Sequence, residues 1–150
     1  MEASNWVTAV REHSGQKLAI RLRPCDAVSD ARCRFHQLLV VTHQFSSVTA
    51  DGMPEESYNS SLFNFDCDLI RQLEIDGRVV LVETYAAKRI YYAYVADESA
   101  SRNRAAEVLS KYGHSSACTF RGGADPAWRF YTQYCGGILR EKGGRDSNGT

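Results

Sequence analysis

Two apolar segments that follow each other almost without a break, RVVLVETYA (residues 78–86) and KRIYYAYVA (residues 88–96), constrain the fold most strongly. The first has four consecutive aliphatic residues, which is typical of a strand buried on both faces near the middle of a sheet. The second is the most aromatic segment of the chain, and the connection in AAK leaves room only for a tight turn. We therefore predict an antiparallel hairpin within a sheet.

Two amphipathic helices are predicted on either side of this hairpin. Apolar residues recur at spacings of three and four over residues 55–75, and Gly77 follows just past the expected helix end. A second helix is predicted over residues 101–113, with Ser99 or Ser101 positioned to cap its first turn. Each helix has one apolar face, which must pack against the sheet.

Two further strands complete a repeating order of elements. Strands are predicted over residues 36–45 and 115–121, so the order from residue 36 to residue 121 is strand, helix, strand, strand, helix, strand. Right-handed crossovers place both helices on one face of an antiparallel sheet, which is the ferredoxin-like βαββαβ arrangement of an α+β fold. Alternating segments at residues 5–10 and 17–23 predict an N-terminal β-hairpin that extends the sheet or covers part of it.

The length of 150 residues fits a single domain. We assign residues 1–140 to one α+β domain, with its core over about residues 36–121 and a short C-terminal helix over about residues 126–135. The last ten residues, 141–150, are EKGGRDSNGT. Because this segment is charged, rich in glycine and without periodicity, we predict a flexible tail.

Composition and charge argue against several classes of function. With 43% hydrophobic and 24% charged residues, the chain has the composition of a soluble globular protein. No apolar run approaches the roughly 20 residues needed to cross a bilayer, and the N-terminus does not resemble a secretory signal, so we expect a cytoplasmic protein without membrane association. Eighteen basic residues balance eighteen acidic ones, which argues against nucleic acid as a partner.

The cysteines and histidines do not form a metal motif. The five cysteines are odd in number and lack CxxC spacing, so we expect free thiols that lie mostly in the core. Cys25, Cys33 and His36 are chemically suitable zinc ligands, but their gaps do not match a zinc knuckle and no second half of such a motif exists. We therefore predict no metal and no cofactor.

The titratable residues do not form a catalytic motif either. None of the four histidines lies in a nucleophile motif such as GxSxG, and His36 and His43, seven residues apart on one predicted strand, point to opposite faces. Glu83 lies in an apolar strand, where we expect it to be solvated or paired with Arg89 of the adjacent strand. We assign no catalytic residue, and a small enzyme of unknown reaction is kept as an alternative.

The aromatic strand suggests a second alternative. Tyr92 and Tyr94 share one face of this strand, while Tyr91 lies on the other. If they were exposed beside Arg89, they would resemble the base-stacking surface of an RNA-recognition motif, so a single-stranded RNA-binding module using strand 88–96 is one hypothesis. The glycines of that motif are absent and the chain is neutral, so we favour tyrosines packed beneath neighbouring elements.

A glycine-flanked aromatic block, RGGADPAWRFYTQYCGG, occupies residues 121–137. Asp125 is well placed as an N-cap, and Pro126 suits the first helical position. The apolar residues of this helix form two adjoining stripes: Trp128, Tyr131 and Cys135 in one, and Phe130 and Tyr134 in the other. We interpret the glycine pairs as turn and stop signals around a helix that covers the sheet and leaves its second aromatic stripe for a partner.

These same residues carry a family resemblance. The segment ETYAAKRIYYAY (residues 83–94), followed after a helix by DPAWRFY (residues 125–131), resembles the bacterial domain of unknown function family 695. More distantly, the chain is similar to the RraB-type regulators of ribonuclease E, which have an acidic-proline-x-tryptophan element near the end. Over roughly residues 36–135, both resemblances imply the fold that the patterns predict. The second implies a small protein that binds and inhibits a larger RNA-processing enzyme.

We expect a non-enzymatic interaction or regulatory domain. It would bind a protein partner, which could be a second copy of the chain, through a sheet edge or the aromatic C-terminal region. The candidate binding residues are Arg89, Tyr92, Tyr94, Trp128, Phe130, Tyr131 and Tyr134, of which Trp128 and Tyr131 also belong to the structural motif with Asp125 and Pro126.

Overall fold

The computed structural model describes residues 6–141 and has a mixed α+β fold, as predicted. Its strands are β1 (Val7–His13), β2 (Gln16–Leu22), β3 (Gln37–Gln44), β4 (Gly77–Tyr85), β5 (Lys88–Val95) and β6 (Cys118–Ala124). Its helices are α1 (Glu56–Ser61), α2 (Phe63–Leu73), α3 (Glu98–Lys111) and a C-terminal helix over residues 129–141. None of the helices in the described part of the chain is long and apolar enough to span a membrane.

All six strands within residues 6–141 belong to one antiparallel sheet, in the order β1-β2-β4-β5-β3-β6. The N-terminal hairpin extends the sheet because β2 pairs with β4. The described sheet therefore has six strands, and the hairpin takes the first of the two positions predicted for it, as an extension of the sheet. The outer edges are formed by β1 and β6.

Both hairpins close through two-residue turns with positive φ at both central residues. The N-terminal hairpin turns at Ser14 and Gly15, and the central hairpin predicted from the sequence turns at Ala86 and Ala87, with φ of +52° and +68°. Such turns match the right-handed twist of paired strands, although alanine rarely adopts positive φ. The Gly52 carbonyl supports the second turn by accepting a hydrogen bond from the Ala87 amide at 2.8 Å.

The side of the sheet covered by α2 and α3, here called the helix face, carries the larger core. The predicted helix over residues 55–75 is interrupted at Leu62, whose amide bonds to the Asn59 carbonyl instead of the Tyr58 carbonyl. The Ser61 hydroxyl donates to the Tyr58 carbonyl at 2.6 Å and so competes with the helical bond. The buried residues here include Leu39, Val41, Leu62, Phe65, Leu69, Leu73, Val79, Val82, Tyr91, Ala105 and Leu109.

Helix α3 begins at Glu98, three residues earlier than predicted. Its N-cap is Asp97, whose carboxylate accepts a hydrogen bond from the Ala100 amide at 3.1 Å, and neither Ser99 nor Ser101 has that role. Aspartate and serine are comparably good N-caps, so composition alone could not decide between them. Strand β6 also begins later than predicted, because a short 3-10 turn at Ser115–Ala117 precedes it.

The opposite face of the sheet is covered by residues 24–35, which contain two 3-10 turns, and by the C-terminal helix. A second buried cluster joins these segments to the sheet. It consists of Ile20, Leu22, Val28, Ala31, Phe35, Val80, Leu81, Tyr94, Trp128, Tyr131, Cys135 and Ile138. The sheet therefore has a packed layer on each face, which explains why Val79, Val80, Leu81 and Val82 are all buried.

The C-terminal helix begins at residue 129, later than the predicted start at residue 126. Pro126 lies in a turn, and Trp128 has φ of +55°, which a right-handed helix does not allow. A π-helical turn spans Tyr131–Cys135, and the helix continues to Glu141. The rest of the predicted tail over residues 141–150 lies outside the described residues.

The two glycine pairs do not have the predicted roles. Gly122 and Gly123 lie within β6, and Gly136 and Gly137 lie within the C-terminal helix, so neither pair forms a turn or a stop. A Cβ at Gly122 would lie 2.5 Å from the Glu98 carboxylate carbon, which is the end of a flexible side chain that can move aside.

Candidate functional site

Six of the seven predicted binding residues come together on the opposite face of the sheet: Tyr92, Tyr94, Trp128, Phe130, Tyr131 and Tyr134. Two stacked ring pairs join strand β5 to the C-terminal helix. The ring centroids of Tyr94 and Trp128 are 3.9 Å apart, and those of Tyr92 and Phe130 are 4.7 Å apart. Pairs of this kind contribute about 0.5–1.5 kcal/mol beyond the burial of their surface, so they anchor the helix on the sheet.

Trp128 lies at the centre of this aromatic cluster and is fully buried. Its indole N–H donates to the Phe35 carbonyl at 2.7 Å, and the Tyr131 hydroxyl donates to the Arg23 carbonyl at 2.7 Å. Both residues therefore hold residues 24–35 and the C-terminal helix against the sheet. Their surfaces are occupied by packing within the domain.

Asp125 orders the turn that leads into the C-terminal helix. Its carboxylate accepts hydrogen bonds from the amides of Arg129 and Phe130, at 2.9 and 3.1 Å, and from the Tyr94 hydroxyl at 2.7 Å. Burial opposes ionisation of this group, but the hydrogen bonds from Tyr94 and the two amides outweigh it and lower the pKa of Asp125. A charged Asp125 thus fixes the first turn in place.

The tyrosine-rich strand is not an open base-stacking surface. Tyr94 is fully buried, Tyr92 is half-buried with Phe130 on its ring, and Tyr91 points to the helix face. A nucleic acid base could stack on Tyr92 or Tyr94 only if the C-terminal helix moved away. The burial of these rings argues against the single-stranded RNA hypothesis.

Glu83 is buried against two tyrosines. It does not pair with Arg89, which was one of the two environments predicted for it. It accepts hydrogen bonds from the Tyr92 hydroxyl at 2.9 Å and from the Tyr134 hydroxyl. Burial and the negative charge of Glu83 raise the pKa of both tyrosines, so both hydroxyls remain donors. Arg89 lies on the helix face, where its Nε donates to Thr84 Oγ1 at 2.9 Å. The two residues are thus separated by the sheet.

A cleft of about 540 Å³ lies beside the aromatic cluster, between β3, β6 and the first turn of the C-terminal helix. We call it the aromatic cleft. It is lined by Leu38 and Val40 on the floor, Tyr92 and Phe130 on one wall, and Arg121, Gly122, Gly123, Ala124, Asp125 and Arg129 around the rim.

Two exposed arginines and a free strand edge distinguish this cleft. Within residues 6–141, neither Arg121 nor Arg129 lies within ion-pair distance of a carboxylate, while the positive charge of Arg129 helps to lower the pKa of Asp125 at the same rim. Strand β6 has no neighbour on its outer side among the described strands, and a Cβ at Gly123 would meet no atom within 4 Å. The cleft can therefore accept main-chain hydrogen bonds from an added strand, together with carboxylates and apolar side chains.

Comparison with known families identifies the domain. A family model described as "Family of unknown function (DUF695)" matches residues 4–135. The chain belongs to this family. The match includes all six strands of the sheet and all seven predicted binding residues, and it confirms the resemblance to the domain of unknown function family 695. No curated protein and no solved structure matches the chain at a significant level.

Arg121 and Arg129 of this DUF695 domain were missed by the sequence reasoning. Both flank the aromatic block, but only the pairing of β3 with β6, which places Arg121 opposite Val40, brings them to one cleft. Alternation along CTFRGGA could have placed Arg121, because residues 119 and 121 of a strand lie on one face and Phe120 lies on the other.

The cysteines of this domain are more exposed than expected. All five are free: Cys25 and Cys33 are exposed, Cys67 and Cys118 are half-buried, and only Cys135 is buried. Burial raises the pKa of the Cys118 thiol to about 11 and, with the nearby Glu83, that of Cys135 to about 12. Within residues 6–141, no three His, Cys, Asp or Glu side chains are grouped to hold a metal.

His43 is the most unusual titratable residue in the domain. It is 1% exposed, and neither ring nitrogen has a hydrogen-bond partner among the described residues. Its ring centroid lies 5.2 Å from that of Phe65 and 4.7 Å from that of His114. Burial, together with the positive charges of His114 and Arg89, lowers the pKa of His43 to about 4, so this imidazole is neutral in the folded protein.

We expect His43 to destabilise the fold in acid. The unfolded chain gains a proton on His43 near its ordinary pKa of 6.5, whereas the folded protein gains it only near 4, so stability falls as the pH falls through that window. The stability lost across this whole window is on the order of 3 kcal/mol, and His114, whose pKa is also lowered, adds in the same direction.

Urea unfolding of wild type and of His43→Phe at near-neutral and mildly acidic pH would measure this contribution. His43→Phe is expected to lose less free energy of unfolding between the two conditions than wild type. The exposed His36→Gln serves as the control and should retain the wild-type dependence. An equal loss in wild type and His43→Phe would contradict the assignment.

Proposed function

We propose that this protein is a non-enzymatic interaction domain whose aromatic cleft binds an extended, acidic segment of a protein partner. The observation that carries the proposal is the pair of exposed guanidinium groups of Arg121 and Arg129 beside an apolar floor and a free strand edge. Guanidinium groups bind carboxylates through paired N–H donors, so we expect the partner segment to be negatively charged.

Because β6 lies at the edge of the sheet, we expect the partner segment to be extended. A segment paired with β6 would form main-chain hydrogen bonds and would project alternate side chains over the opposite face of the sheet. Those side chains would meet Leu38, Val40 and the exposed part of Phe130. The partner segment thus carries both acidic and apolar residues among the alternate positions that face the cleft.

The broader assignments are proposals of the same kind. The order β4-β5-β3-β6 supports a ferredoxin-like core to which the N-terminal hairpin is added. The resemblance to the RraB-type regulators supports a bacterial, cytoplasmic role in which the domain regulates a larger protein by binding it.

Binding of a synthetic strand peptide, measured by fluorescence anisotropy, tests the proposal. In this peptide glutamate and valine take turns at every second position, so both face the cleft, and threonine fills the positions between them. Wild type is expected to bind this peptide but not the matching lysine and valine peptide, and the affinity should fall with added salt. Arg121→Glu and Arg129→Glu are each expected to weaken binding about tenfold, which corresponds to about 1.4 kcal/mol.

Lys111→Glu is the matched control, because Lys111 is an exposed cation on α3 at the helix face. It should bind the acidic peptide as wild type does. Undiminished binding by both arginine variants, or equal binding of the basic peptide, would refute the proposal. Sedimentation velocity of the chain alone would separate a second copy from a different protein as the partner.

A further inference from the structure

The helix face carries a second, separate concavity where the N-terminal hairpin extends the sheet beyond α1 and α2. Two adjoining cavities of about 580 and 410 Å³ lie there, and both are lined by Arg21, Asn59 and Arg89. Because the cavities share these three residues, we treat them as one site and call it the hairpin groove. Its size is within the usual range for small-molecule sites.

Arg89 is a cation of this groove that forms no ion pair within residues 6–141. Its Nε donates to Thr84 Oγ1 at 2.9 Å and its Nη2 donates to Asn59 Oδ1 at 3.0 Å, and both acceptors are neutral. These two bonds fix the guanidinium plane and leave three of its five N–H donors available. By contrast, Arg71, which also lines the groove, is paired with Asp68.

Arg21 supplies a second oriented guanidinium group. Its Nη2 lies 3.2 Å from both carboxylate oxygens of Asp66, and the buried Tyr91 hydroxyl donates to the same carboxylate at 2.6 Å. The Nε and Nη1 groups of Arg21 remain as donors. The Asn59 side-chain N–H groups also remain, since only its Oδ1 is engaged by Arg89.

The far side of the groove is apolar and aromatic. Trp6, Phe63 and Ile70 line the larger cavity, and the Phe63 side chain is 67% exposed there. A ligand held by Arg89 and Arg21 at one end would cover this surface at the other. Oxyanion recognition by oriented guanidinium groups beside an aromatic surface is typical of sites for small amphipathic anions.

We propose that the hairpin groove binds a small molecule with an oxyanion head group, either a phosphate monoester or a carboxylate, joined to an aromatic or apolar body. Arg89 donates paired N–H groups to the oxyanion, Arg21 and Asn59 add further donors, and the body lies against Phe63 and Ile70. The site lies on the face of the sheet away from the aromatic cleft, so it does not depend on the partner proposed above.

Isothermal titration calorimetry with phenyl phosphate, benzoate, inorganic phosphate and phenol tests this site. Wild type is expected to bind phenyl phosphate or benzoate more tightly than inorganic phosphate and phenol, because only the first two combine the head group with the body. Tighter binding of phenyl phosphate identifies a phosphate monoester site, and tighter binding of benzoate identifies a carboxylate site.

Two variants make the test specific. Arg89→Gln is expected to weaken binding of the preferred anion at least tenfold, and Arg89→Lys should lose less affinity because it retains the charge.

Val10→Glu changes an exposed residue that lines the groove and adds a repelling charge without altering the core, so it tests the site even if Arg89→Gln folds poorly. Lys111→Gln should bind as wild type does. Binding of neither anion at millimolar concentration, or undiminished binding by Val10→Glu and Arg89→Gln, would overturn the proposal.

Discussion

Replacing Trp128 by alanine is expected to lower the free energy of unfolding by about 4 kcal/mol, the cost of removing a large buried aromatic side chain. Trp128 is fully buried, stacks on Tyr94, and donates its indole N–H to the Phe35 carbonyl. The substitution would leave a cavity between the sheet and the C-terminal helix and an unpaired buried carbonyl.

Urea unfolding followed by circular dichroism measures this change. Phe63→Ala provides the comparison, since it also removes an aromatic ring but from an exposed position, and it should change stability by less than about 0.5 kcal/mol. Similar losses in both variants would show that Trp128 is not a core residue. Because substitution of Trp128 is expected to change stability, it does not separate binding from stability, and Arg121 and Arg129 are better sites for that purpose.

Gly77→Ala is expected to destabilise the protein by about 3 kcal/mol, an effect of overpacking a rigid site. A Cβ at Gly77 would lie 2.6 Å from the Tyr94 carbonyl oxygen, 2.7 Å from Val95 Cγ1 and 2.8 Å from the Leu73 carbonyl oxygen. Two of these atoms belong to main chains held in β5 and at the end of α2, so they cannot move away independently.

Gly137→Ala is the matched control for this substitution. Gly137 lies within the C-terminal helix, and a Cβ there would meet no atom within 4 Å. Since alanine favours a helix over glycine by about 1 kcal/mol, this variant should be as stable as wild type or more stable. Thermal unfolding of the two variants in parallel should show a lower Tm for Gly77→Ala and no decrease for Gly137→Ala, and a stable Gly77→Ala protein would contradict the close approach described here.

Local patterns predicted most of the sheet but not the ends of the helices. Alternation and apolar runs located the strands within a few residues, because strand pairing depends on the same side-chain period that the sequence displays. The break at Leu62 depends on one hydroxyl, that of Ser61, which competes for a carbonyl. The late start of the C-terminal helix depends on the positive φ of Trp128, which cannot be predicted from the residue type because tryptophan rarely adopts it.

The candidate sites could be predicted only in part, since they depend on contacts between distant segments. The aromatic residues of β5 and of residues 128–134 were identified from composition, but their mutual stacking, and hence their burial, requires the C-terminal helix to lie on the opposite face. Glu83 was expected to be solvated or paired with Arg89, and it instead accepts hydrogen bonds from two tyrosines. Arg121 became part of a cleft only through the register between β3 and β6.

The alternation of side chains along β5 has a thermodynamic consequence. Arg89 and Tyr91 belong to one face of the sheet and Tyr92 and Tyr94 to the other, so this strand contributes to both concave surfaces while its side chains do not meet across the sheet. Two ligands bound on the two sides would therefore share only main-chain atoms in a densely hydrogen-bonded strand. Their binding energies are expected to add without cooperativity, so the occupancy of one surface leaves the affinity of the other unchanged.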